Sequence, residues 1–204
     1  MTNIRQWKQL GQSFNVLPNP HAKCNALLVP LHHTSTSHKI LSKKMKIISD
    51  SFKILSVEEI RNPYLEEIYE GMKKLIAQQC PGFNPNEQEL FHGTSDDGIT
   101  GVLEYGFDDR FFNPNGAWGH GAYFADDPRK SHNYTDADTI DGSRVIFSNK
   151  VLLGIESIQS AVDNSLTSAP KGHHSVRGTA FTYREYIVYR YGQALPYLKV
   201  IYTA

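Results

Sequence analysis

The sequence predicts an α+β fold, on three observations. Hydrophobic residues make up 40% of the chain and charged residues 21%, a balance that is typical of a globular protein and not of a disordered one. Aromatic residues are frequent, and the 11 Tyr and 10 Phe favour strands. Strand-like and helix-like segments are mixed without a regular βαβ rhythm, which favours α+β over a doubly wound parallel sheet.

The first 45 residues are predicted to be a basic, poorly defined N-terminal extension. Prolines at positions 18, 20 and 30 interrupt any periodicity, and 32–38 has the composition of a loop. Residues 1–50 contain seven Lys or Arg and one acid. This arm is therefore either a solvated extension or a contact for nucleic acid or another acidic partner.

Regular patterns begin near residue 45, so 46–204 is predicted to form the folded domain. Residues 45–61 are expected to be mostly strand. Asn62 followed by Pro63 is a helix-start signal, because the Asn side chain accepts from free backbone N–H groups and Pro needs no N–H at the first helical position. This helix is expected to end near Cys80.

The rest of the domain is predicted to be short helices followed by strands. A short strand is expected at 89–94, and a short helix should be stopped by Gly106. An apolar strand at 122–125 precedes a second short helix, which is expected to start at Asp127 and Pro128 and to reach about residue 134. The later strands are predicted within 144–153, at 185–189 and at 197–202.

The two cysteines and the hydropathy pattern bear on the cellular location of the protein and on membrane contact. Cys24 and Cys80 have neither metal-ligand spacing nor partners for a disulfide framework, so an intracellular location, cytoplasmic or nuclear, is expected. No apolar run approaches the roughly 20 residues that span a bilayer, and the N-terminus lacks the apolar stretch of a secretory signal. No membrane contact is therefore expected.

Three separated segments carry residues that are suited to chemistry. His92 and Gly93 end a strand, where glycine lets a ligand approach the backbone, although such a pair taken alone is more often a simple turn. Tyr123 and Tyr134 offer two flat faces for a planar ring, or they pack in a core. Glu185 opens a strand-like run as either a functional acid or a surface carboxylate.

Together these segments resemble the catalytic domain of the poly(ADP-ribose) polymerase family, and tankyrase within it. The similarity covers roughly 46–204, with the motifs in the same order. They are IRNPYLEEIY at 60–69, LFHGT at 90–94, GHGAYFADDPRKSHNY at 119–134, APKGHHSVRG at 169–178 and EYIVYRYGQALPYL at 185–198. The resemblance implies the ADP-ribosyltransferase fold, which has two packed, mainly antiparallel β-sheets with short flanking helices.

The resemblance assigns a catalytic triad to His92, Tyr123 and Glu185. His92 would hydrogen-bond the adenine-side ribose of NAD+, and Tyr123 would face the nicotinamide ring. Glu185 would bind the 2′-hydroxyl of the nicotinamide ribose, where a carboxylate stabilises the positive charge that develops as the glycosidic bond breaks. The same carboxylate would polarise an acceptor hydroxyl.

Further residues are expected to bind NAD+, the implied co-substrate. Gly93 would bind the nicotinamide amide through its backbone, Ser131 would add a hydroxyl contact, and Tyr134 would stack on the ring. The other expected contacts are Thr94, Arg110, Phe124, Ala125 and Lys130. No metal is expected, because 135–144 contains no Cys or His where tankyrase carries its zinc ligands.

The implied activity is transfer of ADP-ribose to protein side chains, with possible automodification. Glu185 permits elongation to poly(ADP-ribose), since chain-extending members of the family have Glu at this position and many mono-transferases have Ile, Leu or Tyr. Three alternatives stay open: mono-ADP-ribosylation, modification of nucleic-acid ends through the basic arm, and a binding module for NAD+ or ADP-ribose without turnover.

Overall fold

Two β-sheets and four α-helices lie in the part of the chain that the computed structural model describes, residues 26–204. The strands are β1 Leu27–Pro30, β2 Lys53–Arg61, β3 Glu87–Gly93, β4 Ala122–Phe124, β5 Arg144–Leu152, β6 Glu156–Gln159, β7 Ser175–Gly178, β8 Glu185–Val188 and β9 Ala194–Thr203. The helices are α1 Thr36–Met45, α2 Pro63–Gln79, α3 Asp96–Tyr105 and α4 Pro128–His132. The predicted α+β class is confirmed.

The sheets are mainly antiparallel, as predicted. The larger sheet has the strand order β1-β2-β9-β5-β3 and is antiparallel throughout. The smaller sheet has the order β4-β8-β7-β6, in which only β6 and β7 run parallel. Phe91 of β3 and Ala125, directly after β4, exchange backbone hydrogen bonds of 2.8 and 3.0 Å. This bridge fixes the end of β3 beside β4.

The main hydrophobic core contains side chains from both sheets. It is built from alternate positions of the strands and from the loop after α3, with Leu90, Ala122, Phe124, Phe147, Val151, Tyr186 and Val188 among its buried members. Because inward-facing residues recur every second position, the strands that carry them also present an opposite face. On the larger sheet, that face buries Ile146 and Val200 in a second core.

Local sequence signals account for the helix ends. The Asn62 side chain caps α2 by accepting from the backbone N–H of Leu65, Pro63 is the first helical residue, and Cys80 follows the last turn. Gly106 ends α3 with a positive φ of 65°, a conformation that favours glycine. These predictions are confirmed. Helix α4 starts as predicted, with Asp127 as its cap, but it ends at His132, two residues before the expected end.

Residues 27–45 contain strand β1 and helix α1, although the sequence pattern predicts a poorly defined extension there. Strand β1 pairs with β2 at the edge of the larger sheet. In α1, Leu41 and Met45 are buried against the second core. The loop predicted at 32–38 is wrong for residues 36–38, because α1 begins at Thr36, directly after its cap Ser35. The division of the chain at residue 45 stays a prediction, because 1–25 lie outside the described range.

Two further strands were not anticipated. Strand β6 is short, and β7 lies within 169–178, the segment that the resemblance placed in a loop. Each has a single large apolar residue, Ile158 in β6 and Val176 in β7, so neither shows the apolar run or alternation that marks a strand. Within 26–204, no helix has the length and apolar character needed to cross a bilayer.

Burial lowers the pKa of His92, His132 and His174. His174 shows how the fold depends on a neutral ring. Its Nδ1 accepts from the N–H of Ile155 at 3.1 Å, and its Nε2 lies 3.0 Å from Oε1 of Gln79. A second proton, on Nδ1, would break the bond to Ile155.

We expect the free energy of unfolding to decrease as the pH falls below about 6.5, the ordinary histidine value. The unfolded chain takes up protons there that the folded histidines, with their lowered pKa, do not accept, so acidification favours unfolding. Thermal unfolding midpoints recorded between about pH 7.5 and about pH 5.5 measure the effect. His174→Asn should show a smaller decrease over the same range; an unchanged decrease would contradict the role of His174.

Candidate active site

A cavity of about 920 Å³ opens where the end of β3, strand β4 and the start of β8 converge. This volume is in the range of small-molecule sites, about 300–1,000 Å³. The cavity is lined by ten of the eleven residues predicted for the site: His92, Gly93, Thr94, Tyr123, Phe124, Ala125, Lys130, Ser131, Tyr134 and Glu185. The structure therefore brings together three segments that are far apart in the sequence.

His92 is held by the backbone of β4. Its Nδ1 lies 2.8 Å from the carbonyl oxygen of Tyr123. A carbonyl can only accept, so Nδ1 carries the proton, and in the neutral ring Nε2 is an acceptor. The rings of Phe107 and Phe124 lie 5.1 and 5.6 Å from the imidazole, and the burial that lowers the pKa of His92 favours this neutral form. His92 therefore lines the cavity as a hydrogen-bond acceptor.

The hydroxyl of Tyr123 is used inside the protein. It donates to the carbonyl oxygen of Gly119 at 2.7 Å and accepts from the backbone N–H of Trp118 at 2.9 Å. Burial raises the pKa of Tyr123 to about 12, so the phenol is neutral. Because its one proton is already donated, Tyr123 offers a ligand the surface of its ring and not a hydroxyl donor.

Glu185 is buried, with an exposed fraction of 5%, which rules out the surface carboxylate that the sequence left open. Its Oε2 accepts from Nε1 of Trp118 at 2.8 Å, and its Oε1 lies 2.8 Å from Nζ of Lys130. Burial lowers the pKa of Lys130, but the hydrogen bonds to Glu185 and Tyr134 raise it, and the net pKa is above its ordinary value. The carboxylate therefore faces a permanent cation.

Trp118 was not predicted as a site residue, although it contacts two of them. Its side chain is fully buried. A Cβ atom on Gly178 would lie 2.1 Å from Cε2 of the indole, so the ring packs directly on the backbone of β7. The only signal in the sequence was a tryptophan in the glycine-rich stretch 116–121, since a buried indole N–H needs an acceptor. That acceptor, Glu185, is 67 residues away.

Gly93 makes a backbone contact that no side chain permits. A Cβ atom at this position would lie 1.9 Å from the carbonyl oxygen of Ser131. The end of β3 therefore packs on the backbone of α4, which places Ser131, itself buried, beside Gly93 at the cavity wall. Tyr134, just beyond α4, is 57% exposed, and its ring centre lies 5.2 Å from Nζ of Lys130.

Arg110 is the predicted site residue that does not line the cavity. Its Nε and Nη2 donate to the carboxylate of Asp108, the latter at 2.7 Å, and the guanidinium lies over the rings of Tyr105 and Phe111. Phe111 and Phe112, which follow Arg110 in the chain, do line the cavity. In this structure Arg110 supports the wall from outside, and its contact with NAD+ stays a prediction.

The remaining predicted contacts lie on the cavity wall. Phe124 and Ala125 are buried, and Ala125 forms the bridge to β3. Thr94 precedes α3, where Gly98 leaves room for its hydroxyl, since a Cβ on Gly98 would lie 1.9 Å from Oγ1 of Thr94. In the described range, His, Cys, Asp and Glu side chains form no group of three or more that could hold a metal ion.

Comparison with known proteins identifies the family. Residues 35–202 match the sequence profile of the poly(ADP-ribose) polymerase catalytic domain. The chain belongs to this family. Its motifs in β3, β4 and β8 are those that line the cavity.

Curated relatives of this catalytic domain are named as mono-ADP-ribosyltransferases. The chain is 35% identical to mouse protein mono-ADP-ribosyltransferase PARP12 over 102 residues, which is 50% of this chain and 14% of that protein. It is 32% identical to mouse PARP10 over 106 residues, again 50% of this chain and 11% of that protein, and 31% identical to human PARP14 over 134 residues, 64% of this chain and 7% of that protein. The chain thus spans a small part of these relatives, and they are not tankyrases.

Gly93→Ala should lower the free energy of unfolding by about 1–3 kcal/mol, because the added methyl group collides with the backbone of Ser131. Gly71→Ala is the matched control. No atom lies within 4 Å of the added carbon there, and Gly71 is inside α2, so the change should stabilise the protein by about 0.5–1 kcal/mol. Urea denaturation of both variants measures the difference. Equal stability of the two variants would contradict the contact between β3 and α4.

Proposed function

We propose that this protein is an NAD+-dependent ADP-ribosyltransferase, which transfers ADP-ribose from NAD+ to side chains of acceptor proteins and releases nicotinamide. The observation that carries the proposal is the buried carboxylate of Glu185, held by Trp118 and Lys130 in a cavity that His92 and Tyr123 also line. Membership of the poly(ADP-ribose) polymerase family supports NAD+ as the substrate.

The nicotinamide end of NAD+ is proposed to bind where β3 meets α4. Gly93 would bind the carboxamide through its backbone, with Ser131 supplying a hydroxyl. Tyr123 and Tyr134 supply aromatic surfaces at the same cavity, and planar rings gain from such stacking. The contact between Gly93 and the backbone of α4 supports this arrangement, since it leaves the cavity wall here without a side chain at position 93.

His92 is proposed to accept a hydrogen bond from the adenine-side ribose. Its proton is on Nδ1, directed to the carbonyl of Tyr123, so Nε2 is the atom that can accept from a hydroxyl. A protonated ring would present a donor instead. The lowered pKa of His92 supports this role because it favours the neutral ring at neutral pH.

Glu185 is proposed to act on the bond between nicotinamide and ribose. As this bond breaks, nicotinamide leaves with the electron pair and becomes neutral, and positive charge develops on the ribose. A carboxylate that is hydrogen-bonded to the 2′-hydroxyl stabilises this charge. An acceptor side chain then attacks C1′ of the ribose, and its proton passes to a base or to solvent.

Transfer of a single ADP-ribose unit is the product that we propose first. The relatives PARP12, PARP10 and PARP14 are named as mono-ADP-ribosyltransferases. Glu185 favours a second candidate, elongation to poly(ADP-ribose), because a carboxylate at this position can polarise the hydroxyl of an attached ADP-ribose unit. Likeness to tankyrase within the family is a proposal that rests on the sequence motifs and not on Glu185 alone.

The acceptor partners are proposed to be proteins, including the chain itself. Nucleic acid stays a predicted partner that rests on the basic N-terminal arm, part of which is α1, with Lys43 and Lys44 in its last turn. Deletion of 1–45 would not test this, because Leu41 and Met45 belong to the core. The double variant Lys43→Ser, Lys44→Ser tests it without removing the helix. The nucleic-acid alternative would be supported if the parent protein labels the end of an oligonucleotide, if added salt reduces this labelling, and if the variant does not label it.

Incubation with labelled NAD+, followed by a denaturing gel and measurement of free nicotinamide, tests the proposal. The parent protein should give a sharp labelled band and release nicotinamide. Glu185→Gln should lower the rate of release by about 10²–10³-fold, the usual effect of losing one group that stabilises the transition state. Glu58→Gln is the matched control, since Glu58 pairs with Lys199 on the larger sheet and does not line the cavity.

The other outcomes of this experiment are equally informative. A high-mass smear from the parent protein would show elongation and overturn the single-unit proposal. Nicotinamide without labelled protein would indicate hydrolysis of NAD+. If the folded parent protein bound NAD+ and released no nicotinamide, the transferase proposal would be wrong and the binding-module alternative would replace it.

A further inference from the structure

We propose that Trp118 is a positioning residue, whose indole N–H fixes the carboxylate of Glu185 in the orientation that the reaction requires. The inference rests on the proposed function of Glu185. Trp118 does not line the cavity, so it acts through Glu185 and not through contact with the substrate.

The indole ring is immobilised on several sides. Its side chain has no exposed surface, Gly178 packs against it with no space for a Cβ atom, and the ring of Phe181 lies at 6.4 Å in an edge-to-face arrangement. An indole has one N–H, and its direction is fixed by the ring. A ring that cannot move therefore defines where Oε2 of Glu185 lies.

Lys130 completes the restraint on the carboxylate. Its Nζ lies 2.8 Å from Oε1 of Glu185, while Trp118 holds Oε2 at the same distance. With one donor on each oxygen, the carboxylate cannot rotate without breaking a charge-assisted hydrogen bond. Each oxygen keeps a second lone pair for a substrate hydroxyl. Removal of the indole N–H would leave Lys130 as the single restraint and allow the carboxylate to turn toward the cation.

The backbone of Trp118 contacts a second member of the predicted triad. Its N–H donates to the hydroxyl of Tyr123 at 2.9 Å, and its carbonyl accepts from the hydroxyl of Tyr189 at 2.7 Å. Tyr123 in turn holds His92 through its carbonyl oxygen. Hydrogen bonds thus connect the residues His92, Tyr123, Trp118 and Glu185 in series, through separate backbone and side-chain atoms of Tyr123 and Trp118.

Trp118→Phe tests the inference, because it keeps an aromatic ring above Gly178 and all backbone bonds but removes the N–H. We expect kcat for nicotinamide release to fall by about tenfold or more, the effect of roughly 1.4 kcal/mol on the barrier. KM for NAD+ should change by less than about threefold, because the interaction of Glu185 is strongest in the transition state. Gly178→Ala displaces the ring from the other side and should also lower kcat with little change in KM.

A double-mutant cycle separates positioning from general structural damage. In the Glu185→Gln background, Trp118→Phe should cost less than about twofold, since the group that it positions is already lost. If Trp118 only stabilises the fold, the loss should be the same in both backgrounds. Equal losses in both backgrounds, or an unchanged kcat in the Glu185 parent, would overturn the inference.

A spectroscopic measurement that needs no turnover tests the hydrogen bond from Trp118 to Glu185 independently of the proposed function. In Trp7→Phe, Trp118 is the single tryptophan of the chain, and its indole N–H gives one signal in a ¹⁵N–¹H spectrum. Glu185→Gln should shift that signal and speed its exchange with solvent, because the charged acceptor is lost. An unaffected signal would disprove the hydrogen bond. Absence of nicotinamide release from the parent would overturn the proposed function and the positioning role together.

Discussion

The burial of the Glu185 carboxylate is the constraint on which the rest of the site depends. An isolated charge at this depth would be unstable, so it must be paired and hydrogen-bonded. Lys130 supplies the opposite charge from α4, and Trp118 supplies a neutral donor from the glycine-rich loop. Both partners need exact placement, which the cap at Asp127 and the packing of Trp118 on Gly178 provide. Elements from both sides of the cavity are therefore tied to one carboxylate.

The sheet topology brings the other residues to the same place. Strand β4 pairs with β8 so that Tyr123 lies opposite Ile187, two positions from Glu185 along β8. The bridge between Phe91 and Ala125 joins the two sheets next to His92. The hydrogen bond from His92 to the carbonyl of Tyr123 follows from this junction. The site is thus a consequence of where the two sheets meet, and the family motifs mark the strands that meet there.

Features that depend on neighbouring residues were predictable from the sequence, whereas features that depend on packing were not. Asn62, Gly106 and Asp127 were recognised because capping is local chemistry. Helix α1 was missed since its start is hidden in a polar run and its stability comes from burying Leu41 and Met45. Likewise, the hydrogen bond between Trp118 and Glu185 joins residues that are 67 positions apart, and no local sequence pattern predicts it.

The crystal structure of the protein with a non-hydrolysable NAD+ analogue, in which carbon replaces the ring oxygen of the nicotinamide ribose, tests the central claim most directly. The account predicts the carboxamide at the backbone of Gly93, the nicotinamide ring against Tyr123 and Tyr134, and the 2′-hydroxyl within hydrogen-bond distance of Glu185. The bond from Trp118 to Glu185 should persist. Nicotinamide bound at another end of the cavity, or a 2′-hydroxyl out of reach of Glu185, would contradict the account.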